Sequence, residues 1–356
     1  MNRLEQSTGD VGEQAPEGPA SIRDVAARAG VALSSVSRVL SGHPDVSDRM
    51  RTRVQQAADE LGYEPDLLAR ALRRGSTMTV GFLLRDISNP LFAAIASDCE
   101  RRLRDRGYSM LLANSDGEVA IEEENLGLLR RRRIDGLIAS LESETADTTR
   151  RALSAYTAPI VLLDREVAGL VTAGAVLNDH FTGVSAAAHD LIAKGHRRIA
   201  LVTGATTVRS TRERRRAIEA AHRRAGLPMD PSLMSHTTFN TGDSERAVAR
   251  LLAQPDPPTA LVAGGIGPSI GTLTALRDAG RQPGRDIAMV VLDEWPLLEI
   301  TMPHLGSVAR DAAATGKAAA DVLIEMMAGG EPRTVVTDTR YDPRGSVIPV
   351  ERCRAR

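Results

Sequence analysis

Cysteine is almost missing from this chain of 356 residues: only Cys99 and Cys353 occur. They lie far apart and at no metal-ligand spacing, which excludes a disulfide framework, gives no sign of a zinc site and fits a reducing cytoplasm. An excess of charge of either sign is also missing. With 45 basic and 46 acidic residues the net charge is −1, so any contact with nucleic acid must come from a local patch. Lysine is confined to Lys194 and Lys317, a scarcity read as codon usage rather than mechanism. No apolar run approaches the roughly 18 residues of a membrane span, and the opening MNRLEQSTGDVGEQAPEGPA has no apolar centre of a signal peptide. The expected location is the cytoplasm, with no membrane partner. Residues 1–20 are acidic and rich in Gly, Pro and Gln; they bury too little to order themselves and are expected to be a disordered tail. What is present is ordinary for a soluble globular protein, 42% hydrophobic and 26% charged, with length for two or three packed units.

Structure is expected to begin at SIRDVAARAGVALSSVSRVLSG. Ser21 followed three residues later by Asp24 is a capping-box pattern, and Ile22, Val25, Ala26 and Ala29 share one helical face. Gly30 permits a sharp turn. From Leu33 to Leu40, Val36, Val39 and Leu40 turn inward while Ser34 and Arg38, four apart, share the outer face. A third helix is expected from Ser47, an N-cap residue type, with Met50, Val54, Ala57 and Leu61 on its core face and Gly62 closing it. Three helices this short must share one core, and the first two have helix-turn-helix spacing.

The run IRDVAARAGVALSSVSRVLSG, followed by Tyr63, Pro65 and LLARALRRG, resembles the headpiece and hinge of the LacI family of bacterial repressors. The resemblance implies a DNA-binding domain over residues 21–65 and a hinge helix over 66–76. A recognition helix of this kind lies in the major groove, which puts Leu33, Ser34 and Arg38 at base-reading positions. The arginine fork suits O6 and N7 of a guanine. Ala32 departs from the family's usual Ser and removes a cap hydroxyl; Ser35 stands where Thr is usual. In the hinge the resemblance makes Leu72 a wedge in the minor groove, its unstacking cost offset by wider contact, and makes Arg70, Arg73 and Arg74 phosphate neighbours.

From Met78 onward the short apolar runs TVGFLL, SMLLAN, DGLIAS, PIVLLD, RIALVTG, TALVAGG and IAMVVLD alternate with helix-sized segments. Such alternation predicts α/β architecture with parallel, doubly wound sheets, and about 270 residues divide more naturally into two lobes than one. The resemblance continues through ISNPLFAAI, NDHFTGVSAAAHDLIAKGHRRIALVTG and MVVLDEWPLLEITMPHLGSV. It implies a two-lobed periplasmic-binding-protein type I sensor over residues 77–349, with lobe crossings near 176, 303 and 335 and a tail over 350–356. Ligands of such folds sit beyond the carboxyl ends of the strands, in the cleft between lobes. The implied effector contacts are Leu91, Phe92, Asp164, Ser210, Arg214, Phe239 and Asp293. Plainer roles stand beside them: Asp164 and Asp293 as loop caps, Phe92 as core, Arg214 as part of the solvated run RERRR.

The stretch TALVAGGIGPSIGTLTALRDAG poses a separate question. A strand, a glycine turn and a helix with Pro268 in its first turn outline a nucleotide site. The dinucleotide fingerprint, however, needs its third glycine three residues after the second, and Gly271 is four after Gly267. In the register of the resemblance, Gly265 and Ile266 stand where Asn-Asp is usual and Arg310 where Gln is usual. The glycines are then the altered rim of a sensor pocket, with no cofactor. Arg310 is expected to bring a second guanidinium beside Arg214, and arginine forks pair bidentately with carboxylate or phosphate.

The expected function is therefore that of a DNA-binding regulator, a repressor rather than an enzyme. Its expected partners are a palindromic operator, bound by a homodimer, and a small effector that is sugar-derived and anionic. A dimer is favoured over a tetramer because no leucine-heptad segment follows the sensor. Three alternatives stay open. One is the same regulator without a small effector, its pocket closed by Arg310 pairing with Asp293. Another is a solute receptor of the same fold, disfavoured by the helix-turn-helix. The last is a nucleotide-dependent enzyme, for which no companion acid or nucleophile–base pair is found.

Overall fold

The computed structural model describes residues 20–64 and 75–354, in two compact units that divide between Thr77 and Met78. The tail before residue 20 and the hinge residues Arg70, Leu72, Arg73 and Arg74 lie outside the described residues.

The first unit is three helices, α1 (Ile22–Ala29), α2 (Leu33–Leu40) and α3 (Asp48–Glu60). Ser21 and Asp24 form the expected capping box, and Gly30 closes α1 in the left-handed conformation, which costs glycine little. The helices meet on Val25, Ala29, Val36, Val39, Val54 and Ala57. Outside that core, Arg53 donates to the Gly30 carbonyl at 3.2 Å and tethers the turn to α3.

The second unit holds two six-stranded sheets built on one plan. The first contains β1 (Thr79–Leu84), β2 (Ser109–Asn114), β3 (Gly136–Ala139), β4 (Ile160–Leu163), β5 (Ala173–Asn178) and β11 (Thr334–Thr337), in the order β11-β5-β4-β3-β1-β2. The second contains β6 (Ile199–Thr203), β7 (Met234–His236), β8 (Ala260–Ala263), β9 (Ala288–Leu292), β10 (Gly306–Arg310) and β12 (Thr339–Asp342), in the order β12-β10-β9-β8-β6-β7. All pairings are parallel except β10 with β12. The orders match position by position, so β4 and β9 are equivalent strands.

Helices α4 (Pro90–Arg104), α5 (Val119–Arg131), α6 (Asp147–Ser154) and α11 (Ala312–Met327) cover the first sheet; α7 (His180–Ala193), α8 (Arg209–Arg224), α9 (Thr241–Leu252) and α10 (Ile266–Asp278) belong to the second. Strand β1 shows why the apolar runs are continuous. Val80, Phe82 and Leu84 share a core with Leu91, Ile95 and Cys99 of α4, while Leu83 points the other way, to Leu126 and Leu129 of α5. Side chains alternate and both faces are covered, so no polar alternation survives.

The lobe crossings fall at Asp179, Asp311 and Asp338, between β5 and α7, β10 and α11, and β11 and β12. The second differs most from the expected 303, because residues 306–308 pair with β9 before the chain leaves the second sheet. The supposed tail also begins as structure. Helix α12 (Val350–Arg354) is anchored by the Val350 N–H donating to the Lys194 carbonyl at 3.0 Å, and Cys353 packs on the core.

Candidate functional site: a helix-turn-helix face and an inter-lobe cleft

Helix α2 buries Val36 and Val39 and leaves Leu33, Ser34 and Arg38 exposed. The three expected base readers thus share a solvent face. No ion pair among the described residues engages Arg38. As the sequence suggests, Ala32 supplies no capping side chain, so the first N–H groups of α2 are open to an outside acceptor such as a phosphate oxygen.

In the second unit a cavity of about 430 Å³ opens between the lobes, lined by Phe92, Asp164, Ser210, Arg214, Phe239, Asp293 and Arg310 among others. It lies beyond the carboxyl ends of the strands, where doubly wound sheets bind ligands. Leu91 is a correction: its side chain is 5% exposed and belongs to the core with Ile95 and Val80. Neighbouring residues point about 100° apart around a helix, and at the start of α4 it is Phe92 that reaches the cleft.

Asp164 and Asp293 follow the equivalent strands β4 and β9, and both adopt positive φ, 54° and 77°; Phe239 does too, at 61°. Aspartate tolerates this region, whereas a bulky side chain there is an outlier that costs about 1–3 kcal/mol and marks functional sites.

The centre of the cleft is an ion-pair network. Arg310 donates from Nε and Nη2 to the two oxygens of Asp293, at 2.6 and 2.8 Å, and from Nη1 to Asp164 at 3.3 Å. Asp164 also receives the His180 ring at 2.7 Å and the Asn178 N–H at 3.2 Å. Burial alone would raise the Asp164 carboxyl, but His180, Arg310 and Arg165 hold it well below the usual range. Burial pushes the His180 ring down to about 4, so it is neutral at pH 7 and donates from Nε2 to an acceptor-only carboxylate. Arg310 is therefore not the free cation expected beside Arg214; its charge is spent on two aspartates, one in each lobe.

Arg214, expected either in the pocket or in a solvated run, is 2% exposed and lines the cavity. It lies 6.0 Å from the Phe239 ring, with Arg85 of the first lobe at 5.2 Å. Arg85 pairs with Glu142 at 2.5 Å and donates across the cleft to the Thr238 carbonyl. A third inter-lobe contact centres on buried Glu144, which accepts from the Arg209 N–H at 2.8 Å and from Arg212 at 2.6 Å.

Sequence reasoning missed His180, Arg165, Glu144 and Trp295. Trp295 is the chain's single tryptophan and follows Asp293 by two residues into the cavity wall. His180 stands two residues past the end of β5, a position that the strand-end rule used for Asp164 would have found had β5 been recognised.

The glycine stretch resolves into packing and rim. Gly267 and Gly271 let α10 approach the chain at 239–245; a Cβ on them would lie 2.2 Å from the Phe239 carbonyl and 2.3 Å from that of Thr241. Gly265, at φ 128°, opens α10 on the cavity.

Comparison with known proteins agrees with both units. Residues 21–66 match the profile described as bacterial regulatory proteins, lacI family, and residues 77–354 match periplasmic binding proteins and sugar binding domain of LacI family. The ribose operon repressor of Escherichia coli K12 is 33% identical over 307 residues, 86% of this chain and 92% of that protein. The PurR repressor of Haemophilus influenzae PittEE is 29% identical over 86% of this chain and 90% of its own length. Among solved structures, a complex of the transcriptional regulator CelR with cellobiose superimposes with a TM-score of 0.69 at 28% identity, covering 92% of this chain and 99% of that one. The lac repressor dimer bound to operator and the anti-inducer ONPF shares the fold, with a TM-score of 0.80 at 22% identity over 93% of this chain and all of that one. A three-helix reading head and a two-lobed sensor, each matched along its length, place this chain in the LacI family of bacterial transcriptional regulators.

Proposed function

We propose that the protein is a cytoplasmic repressor that binds a palindromic operator as a homodimer and is controlled by a small, sugar-derived effector in the inter-lobe cleft. The observation that carries the reading is the pairing of an exposed Leu33–Ser34–Arg38 face on α2 with a cavity at the carboxyl ends of two duplicated sheets. Arg38 reads a guanine edge, and Leu33 and Ser34 contact neighbouring bases. The hinge roles of Arg70, Leu72 and Arg73 extend the same reading to the minor groove. Relatives named for ribose and cellobiose support a sugar-like effector, and relatives named as repressors support a regulatory rather than catalytic role.

Leu111, Leu112, Ile121 and Leu128, at 36–41% exposure on β2 and α5, give the first lobe an apolar edge suited to a second copy. Ligand-dependent lobe closure would bias the operator-competent state. A second reading, regulation without a small effector, is favoured by one observation: Arg310 already sits between Asp164 and Asp293. Selection of genomic fragments by the full chain, followed by footprinting, tests the main reading. Two-fold symmetric protection is expected, and protection without symmetry would contradict it.

A further inference from the structure

Helix α5 runs out into four consecutive arginines. Arg130 and Arg131 occupy its last turn and Arg132 is its C-cap; Arg133 follows with a left-handed backbone, φ 54°, at a position where helices commonly carry glycine. All four are exposed. Basic residues in a last turn complement the helix dipole, which accounts for the first two. Arg132 and Arg133 lie beyond the helix, and the left-handed region disfavours an arginine relative to glycine.

Topology places this run. The Asp135 N–H donates to the Thr79 carbonyl at 2.8 Å, so the run borders the first residue of β1. On the other side of β1 lies β2, whose Ser109 N–H donates to the Met78 carbonyl at 2.8 Å and which is preceded by exposed Arg104 and Arg106. The three strands are parallel and adjacent in the order β3-β1-β2. Both basic segments therefore share the amino-terminal edge of the first sheet, away from the cleft, and the chain from the helix-turn-helix unit enters the sheet between them at Met78. Residues 65–78 span at most about 50 Å even when fully extended, so a duplex held by α2 stays within reach of this edge.

Charge is the second, independent observation. Residues 104–108 and 130–135 hold six arginines against Asp105 and Asp135. Glu100 neutralises Arg104 at 2.9 Å, and residues 155–159, which lead into β4, carry no charge. Three positive charges are left over in a chain whose net charge is −1. Among the described residues, Arg106, Arg130, Arg131 and Arg132 form no ion pair, so their guanidinium groups are open to an outside anion.

We propose that this edge of the sensor is a second DNA-contacting surface, on which Arg106 and the run Arg130–Arg132 meet backbone phosphates of the duplex whose bases α2 reads. The proposal rests on the protein being an operator-binding regulator and adds a part of the sensor to its interface. Guanidinium groups on phosphate release counterions and strengthen binding to any sequence, whereas base edges in the groove carry the discrimination. The edge thus supplies affinity and leaves specificity to α2.

The test uses the full-length protein, a duplex carrying the operator selected from genomic DNA, and a scrambled duplex of equal length, each titrated over a range of salt concentrations. Wild type is compared with Arg131→Gln/Arg132→Gln and with Arg106→Gln. Arg223→Gln/Arg224→Gln, which removes the same charge as the first variant from exposed positions at the end of α8 in the second lobe, is the control. The slope of log affinity against log salt should become shallower by about 1 for Arg106→Gln and by about 1 to 2 for the double variant. At about 0.1 M salt the double variant should bind both duplexes at least about fivefold more weakly, with the operator-to-scrambled ratio unchanged and the control like wild type. An unchanged slope in either variant, or an equal loss in the control, would overturn the proposal. So would a shift of the double variant from dimer to monomer in sedimentation, which would assign the run to contact with a second copy. Equal affinity of wild type for the two duplexes would refute the operator reading instead, and the slopes on the scrambled duplex would still decide whether this edge touches phosphate.

Discussion

Arg310 of the second lobe donates to Asp164 of the first at 3.3 Å, so one side chain bridges the cleft while its other two donors hold Asp293. A bound ligand ordinarily ties two such lobes together. Here the protein carries part of that tie itself, and closure has a contribution that does not depend on effector.

Replacing Arg310 with Gln leaves Asp164 and Asp293 buried without their shared cation. Breaking a buried ion pair by removing one partner costs about 3–5 kcal/mol, and urea unfolding should show a loss of that order. Small-angle scattering of the ligand-free variant should also show a larger radius of gyration. An unchanged radius would mean that Arg310 does not hold the lobes.

Acid should weaken the cleft through a histidine before it titrates the cleft's carboxylates. His180 is neutral in the fold, with its ring pushed from 6.5 down to about 4, while in the unfolded chain it protonates near 6.5. The unfolded state therefore binds the extra proton between these values, and stability falls as pH drops from about 6.5 to 4, by on the order of 3 kcal/mol in all. Above pH 6.5 the contribution is fully present. Chemical denaturation at stepped pH should show this slope in wild type and lose it in His180→Gln.

Arg38→Ala should lower operator affinity by about 1–3 kcal/mol and relax preference at one guanine per half-site. Binding to single-base operator variants measures it. A base preference that survives the substitution would assign the reading to another residue.

Leu128→Asp places a charge on the apolar edge of the first lobe. If that edge joins two copies, sedimentation should show monomer at concentrations where wild type is dimeric, and operator binding should weaken because half-sites are then bound singly. A dimer that persists moves the interface elsewhere.

Much of the fold was legible because burial on both faces leaves continuous apolar runs. Each of the seven runs read from the sequence contains a strand. The strands that escaped are of another kind. β5, AGAVLN, is small rather than bulky because a Cβ on Gly174 would lie 2.9 Å from Val322, and β11, TVVT, alternates between exposed and half-buried at a sheet edge. Asp164 and Asp293 were legible as polar residues at strand ends. Leu91 was misplaced because a helix separates neighbours by about 100°, which motif matching does not resolve. The pairing of Arg310 with Asp293 was open in the sequence as one alternative, and the structure has it; its tie to Asp164 was the least legible feature, since the two are 146 residues apart in sequence and only the packing of the lobes brings them together.

The most direct test of the account is the ratio of dissociation constants of the full-length protein for its selected operator and for a scrambled duplex of equal length, at one physiological salt concentration. A sequence-specific regulator should prefer its operator by at least about 10³-fold, and Arg38→Ala should reduce that ratio. Equal affinity for both duplexes, falling together as salt rises, would show phosphate attraction without base reading and contradict the account.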